Sequence, residues 1–232
     1  TSAEAYAILA EVLLGNNKLG DAETAAARAL QLDPNNTEAH RSQGIILSTK
    51  QQPAAAIVEL EKAAQLEPNL ALRWVDLGKI YLTAKDYAKA TAANQKALSL
   101  YPQATNALVG LGTAYLSEKQ YSQAIESLTQ ATQLNNQSYL AFYVLGTTYF
   151  ASDQCAQAIP AYQKAIALNP KANFAMTYLG MCQLKAGNLA AAQQAAQQAA
   201  AIDPNYADTQ ALLASVAAAS ATPTPTIAPG LY

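Results

Sequence analysis

Residues 71–104 read ALRWVDLGKIYLTAKDYAKATAANQKALSLYPQA. Trp74, Leu77 and Tyr81 recur at helical spacing, and Tyr87, Ala90, Ala97 and Leu98 do so again after the Lys85-Asp86 breaker, which predicts two helices. A proline turn closes the stretch and stops the second helix. Outward from it the same pattern returns in register. Pro34, Pro68, Pro102, Pro170 and Pro204 all fall on multiples of 34, and Asn136 alone interrupts the series. Gly44, Gly78, Gly112, Gly146 and Gly180 step by 34, as do Ala22, Ala56, Ala90, Ala124, Ala158 and Ala192. Six gapless units follow, at 3–36, 37–70, 71–104, 105–138, 139–172 and 173–206. Small residues at the Gly and Ala positions let helices approach closely, and the Trp, Leu and Tyr positions fill the space between them.

Residues 139–172 carry Phe142, Leu145, Gly146, Tyr149, Ala158, Tyr162, Ala165 and Pro170. This series resembles the signature of the tetratricopeptide repeat (TPR) family, and the match runs over 3–206. Ala10 departs from it in the first unit, His40 and Gln43 in the second, and Gln183 in the sixth. The resemblance implies an all-α fold, a right-handed α-solenoid of six helix pairs. An extra helix at 207–221 is expected to cover the last pair, with an extended Thr/Pro tail at 222–232. That helix shows Ala211, Leu212, Leu213, Ala214, Val216 and Ala217 nearly all round, and the first unit opens on Ala3, Ala5, Tyr6 and Ala7, so both ends are expected to be adhesive.

The 232 residues are 51% hydrophobic, enough to bury a core, and only 13% charged. With 14 basic and 16 acidic side chains the net charge is −2, and the clustered Lys and Arg that nucleic acid needs are absent. Residues 1–104 hold 21 of the 30 charges, leaving the C-terminal half nearly neutral. No apolar run approaches the roughly 20 residues of a membrane span. The chain opens Thr-Ser-Ala without an initiator Met or a signal-like apolar stretch, which reads as a soluble, mature or trimmed product. The single His40 sits at a packing position, Gly110-Leu-Gly112 lies inside a predicted helix, and the two Cys and one His fall in three units. No triad, phosphate loop or metal cluster results, so the sequence predicts no enzyme, no metal and no cofactor.

Cys155 opens the second helix of its unit, and Cys182 lies late in the antiparallel first helix of the next, near the same end. A disulfide there competes with two unrelated buried thiols; a bridge implies an oxidising compartment. Asn35-Asn-Thr37 and Asn136-Gln-Ser138 are N-glycosylation patterns, although Asn-rich turns also produce them by chance. Thr222, Thr224 and Thr226 lie in a Thr-Pro stretch of the O-glycosylated kind, with a plain linker as the alternative.

By the resemblance, an inner groove is lined from the first helix of each unit. Here it draws Ile45, Leu72, Val75, Leu82, Val109, Leu116, Leu140, Tyr143, Phe150, Phe174, Met181 and Leu184, with polar members such as Glu38, Arg41 and Lys79 among them, and on balance it looks apolar. The Lys/Asn/Arg clamp by which some family members hold a peptide carboxylate is not reproduced. The tail residues Ile227, Leu231 and Tyr232 follow a Thr-Pro lead and are expected to pack on the chain's own solenoid or on the next subunit. The partner is therefore expected to be protein, and above all another copy, giving a head-to-tail filament that is extracellular or periplasmic and carries glycans. The alternatives are a peptide-binding adaptor, cytoplasmic or otherwise, and a repeat domain cut from a larger machine.

Overall fold

The computed structural model describes residues 2–221, and among them it contains thirteen α-helices and no strand. The chain is all-α. It divides into two compact units, 1–134 and 135–232.

The first unit holds α1 (Ala3–Gly15), α2 (Leu19–Leu32), α3 (Thr37–Thr49), α4 (Pro53–Leu66), α5 (Ala71–Thr83), α6 (Tyr87–Leu100), α7 (Thr105–Ser117) and α8 (Tyr121–Leu134). The second holds α9 (Tyr139–Ala151), α10 (Cys155–Leu168), α11 (Asn173–Lys185), α12 (Leu189–Ile202) and α13 (Ala207–Ala221). Odd-numbered helices start 34 residues apart, and so do the even-numbered ones.

Local chemistry sets the ends. Ser2, Asn36, Asp86 and Ser138 cap α1, α3, α6 and α9 by accepting a backbone N–H three residues on. The turn inside each pair passes through one left-handed residue: Asn17, Gln51, Lys85, Lys119, Asp153 and Gly187, at φ between 57° and 79°. Only the last is glycine, so five turns hold a side chain where it costs roughly 1 kcal/mol. After the second helix, Asp33, Asn135, Asn169 and Asp203 each accept the backbone N–H two residues on, an Asx turn just before the proline position. α10 continues as one helix through Pro160.

Packing within a pair is a contest of sizes at one crossing point. A Cβ added to Gly44 would meet Leu60 at 2.6 Å, one on Gly78 would meet Asn94 at 2.5 Å, one on Gly112 Leu128 at 2.5 Å, and one on Gly146 the Tyr162 ring at 2.8 Å. Glycine lets each large residue lie against the facing helix. The first pair solves the problem from the other side, since Ala10 stands at the glycine position and faces Ala26, both fully buried in one cluster. In the last pair Leu212 of α13 fills the space over Gly180. The alanines at 22, 56, 90, 124, 158 and 192 are all fully buried.

Candidate protein-interaction surfaces

In the first unit the odd helices carry charge. Arg41 of α3 donates Nε to Asp76 Oδ2 of α5 at 2.6 Å and Nη1 to Glu11 Oε1 of α1 at 3.3 Å. Burial works against the Arg41 charge, but the field and hydrogen bond of Asp76, joined by Glu38 and Glu11, outweigh it, and the guanidinium holds its proton more tightly than a free one. Beside it a cavity of about 190 Å³ is lined by Ile45, Ser48, Thr49, Asp76 and Lys79 among others. Arg73, 1% exposed, stands where the other odd helices carry Ala or Thr, and pairs with Glu38 and Glu67. The first-unit surface is thus crossed by ion pairs rather than being uniformly apolar.

The second unit differs. α9 has no charged residue and α11 only Lys185, at its end. Aromatic rings gather instead: Tyr139 stacks on Tyr143 at 5.8 Å, Phe150 meets Tyr178 at 5.1 Å, and Phe174 meets Tyr206 edge-on at 4.8 Å. Burial raises the pKa of Tyr143 and Tyr162 above the free phenol.

Of the twelve residues expected in the groove, Leu72, Leu140 and Phe174 are exposed at 42%, 52% and 44%. Ile45, Val75, Leu82, Leu116, Tyr143, Phe150, Met181 and Leu184 are half-buried, and Val109 is buried. Asn35 and Asn136 are exposed in inter-helix turns. The residues around them also start helices: Asn36 and Ser138 are caps, which gives the two triplets a structural use. Cys155 and Cys182 are brought together with Cα atoms 5.1 Å apart, inside disulfide range. Thr222, Thr224, Thr226, Ile227, Leu231 and Tyr232 lie outside the described residues. His40, read as a packing residue, has both ring nitrogens engaged, Nδ1 with Glu59 at 2.6 Å and Nε2 with the Pro34 carbonyl at 2.9 Å.

Two features escaped the sequence reading. A cleft of about 550 Å³ opens between α4, α5 and α6, with Trp74, Leu77 and Tyr81 on one wall. At the N-terminal end, Ile8, Leu9 and Val12 of α1 are 60%, 44% and 54% exposed, and with exposed Ala5 they form a stripe at helical spacing. Below the stripe lies a second cleft of about 350 Å³ between α1 and α2. The signal was available: Ala5 and Val12 occupy register positions that are buried in all six later odd helices, including Ala39 and Ile46, Ala107 and Ala114, and Thr209 and Val216.

Among the described residues no group of three or more His, Cys, Asp or Glu is placed to hold a metal ion, and no helix is long and apolar enough to cross a membrane.

Tetratricopeptide repeat profiles match residues 9–71, 81–143 and 143–207. The chain belongs to the tetratricopeptide repeat family. Its fold is that of a TPR solenoid, and its role is accordingly that of a scaffold for protein–protein interaction. No curated protein matches the sequence. Among solved structures, the Cut9–Hcn1 hetero-tetramer of APC/C is 19% identical with a TM-score of 0.84, over 93% of this chain but only 43% of that one. PilW, a widely conserved type IV pilus biogenesis factor, is 20% identical with a TM-score of 0.83, over 91% of this chain and 98% of that one. PilF of Pseudomonas aeruginosa is likewise 20% identical, at 0.80, over 91% and 96%. At such identities the likeness establishes the TPR fold alone.

Proposed function

We propose that this TPR chain is a non-catalytic scaffold that assembles head to tail, the α13 end of one copy meeting the α1–α2 end of the next, into a filament outside the cytoplasm. One observation carries this. Ala5, Ile8, Leu9 and Val12 keep apolar side chains exposed at positions that later repeats cover, a face suited to meeting another helix. A contact between two different faces of one molecule does not close on itself and extends into a fibre. The Cys155–Cys182 pair supports an extracellular or periplasmic location, because such bonds persist under oxidising conditions. N-linked sugars at Asn35 and Asn136 and O-linked sugars at Thr222, Thr224 and Thr226 fit the same compartment. Light scattering across a concentration series tests the assembly: the expected mass rises steadily, and a constant monomer mass contradicts it.

A second reading has its own support. The uncharged face of α9 and α11 exposes Leu140 and Phe174 and suits an apolar peptide, which makes the chain an adaptor. The match to PilW, a type IV pilus biogenesis factor, over nearly its whole length suits an adaptor at the assembly site of such a structure. Binding of uncharged apolar peptides that falls tenfold or more in Leu140→Glu or Phe174→Glu supports it; equal binding to the variants removes it.

A further inference from the structure

The repeat register pairs two clefts of the first unit. The cleft of residues 71–104 is walled by Trp74, Leu77 and Tyr81 of α5 and by Lys89, Ala92 and Ala93 of α6, and α4 closes its far side through Glu61, Ala64, Gln65 and Pro68. The N-terminal cleft is walled by Tyr6, Leu9 and Leu13 of α1 and by Asp21, Thr24 and Ala25 of α2. Each of these six residues lies two repeat lengths before its counterpart. Among the described residues no helix stands beside this cleft where α4 stands beside the other, so the cleft has the form of a seat for a second helix.

Among the described residues α13 is the last helix. α13 starts 34 residues after α11 and is the first member of a seventh pair. The register then places that pair's second member just after it, where the sequence runs Thr222-Pro-Thr-Pro-Thr226-Ile-Ala-Pro-Gly-Leu231-Tyr232. In an end-to-end stack that keeps the 34-residue register, the position after α13 is the one that faces the α1–α2 cleft of the next copy.

We propose that this cleft receives residues 222–232 of a second copy, with the alanine face of that copy's α13 lying against the stripe on α1. The inference rests on the end-to-end reading above and names its receptor. Ala207, Ala211, Ala214 and Ala218 of α13 are solvent-exposed and successive at helical spacing, a small surface that admits the larger Ile8, Leu9 and Val12. First helices of successive pairs already touch in this way within the molecule, as α1 does with α3 and α11 with α13, so the contact continues an interface the fold already uses. Segment length is sufficient, since 11 residues at ~3.1 Å each outreach the 13-residue α1 at ~1.5 Å each. Charge is compatible too. The segment has none, and the cleft wall offers one Asp21 against one Arg28.

Sedimentation velocity on full-length chains tests this with two variants. Ile8→Glu/Val12→Glu puts charge on the exposed stripe beside the cleft that α13 of the next copy is to cover, and Ile227→Asp/Leu231→Asp blocks the tail. The wild type is expected to polymerise, each variant alone to stay monomeric, and an equimolar mixture to double in mass and stop, because one intact seat and one intact tail remain. If wild type assembles and either variant assembles as well, the seat is wrong while end-to-end assembly survives. A mixture that stays monomeric overturns it likewise. Wild type that is monomeric at every concentration overturns both. Should the paired glutamates unfold the first repeat, Thr24→Arg, on the exposed side of α2, blocks the cleft itself.

Discussion

The indole N–H of Trp74 donates to the carbonyl oxygen of Pro68 at 2.8 Å. His40 makes the same bond to Pro34, and Gln210 makes it to Pro204 at 2.6 Å, in the same register. Three chemically different side chains thus tie the start of an odd helix to the proline turn before it. Trp74→Phe keeps most of the ring and loses the bond, and is expected to cost about 1 kcal/mol by urea denaturation. Trp74→Ala is expected to cost about 3 kcal/mol, as a large aromatic wall is removed. Equal costs for the two would mean that the hydrogen bond carries the whole contribution.

Gly146→Ala places a methyl 2.8 Å from the Tyr162 ring, which has no room to retreat because Tyr162 is fully buried. The expected loss is about 2 kcal/mol even after the gain in helix propensity. Gly20, in α2, has nothing within 4 Å of its added Cβ, so Gly20→Ala is expected to stabilise by up to about 1 kcal/mol. The opposite signs of the two substitutions are the check.

Reduction of a Cys155–Cys182 bond, whose ends are 27 residues apart in sequence, is expected to cost about 3.5 kcal/mol in the chain-entropy account. Intact mass before and after reductant checks the bond: the expected gain is two hydrogens, and no gain rules it out. Hexose or N-acetylhexosamine increments in the same spectra are the expected mark of the sugar sites.

Alkali is expected to destabilise the protein. Burial raises the phenols of Tyr139, Tyr143 and Tyr162 above their ordinary value near 10, while burial and a hydrogen bond to a carboxylate do so for Tyr81 and Tyr206. Below pH 10 both folded and unfolded tyrosines hold their protons, and the stability is fully present. Above it the unfolded chain loses protons that the folded chain keeps, so stability falls as pH rises. Titration followed at 295 nm should show these phenols ionising late and together with the loss of helical circular dichroism.

The helix pairs were legible because a fixed 34-residue period, with Gly and Ala at fixed places, leaves few other ways to pack. Side-chain roles were less so. His40 reads as a packing residue, since no periodicity marks the carbonyl of Pro34 six residues earlier as its partner. Arg73 occupies an alanine position, and its burial becomes intelligible only when Glu38 and Glu67 converge on it from two other elements. The groove series places Arg41 on that surface, but nothing in the spacing marks Asp76 of the next repeat as its partner, and the pair crosses a strip that reads as apolar. The exposed stripe on α1 needed comparison of one position across repeats, since its exposure depends on which helix lies beside it.

Negative-stain microscopy of the full-length protein tests the assembly most directly. Fibres one solenoid wide, lost in Ile8→Glu/Val12→Glu, are the predicted result. Discrete single particles at every concentration would contradict head-to-tail assembly and leave the uncharged face of α9 and α11 as the surface through which this scaffold works.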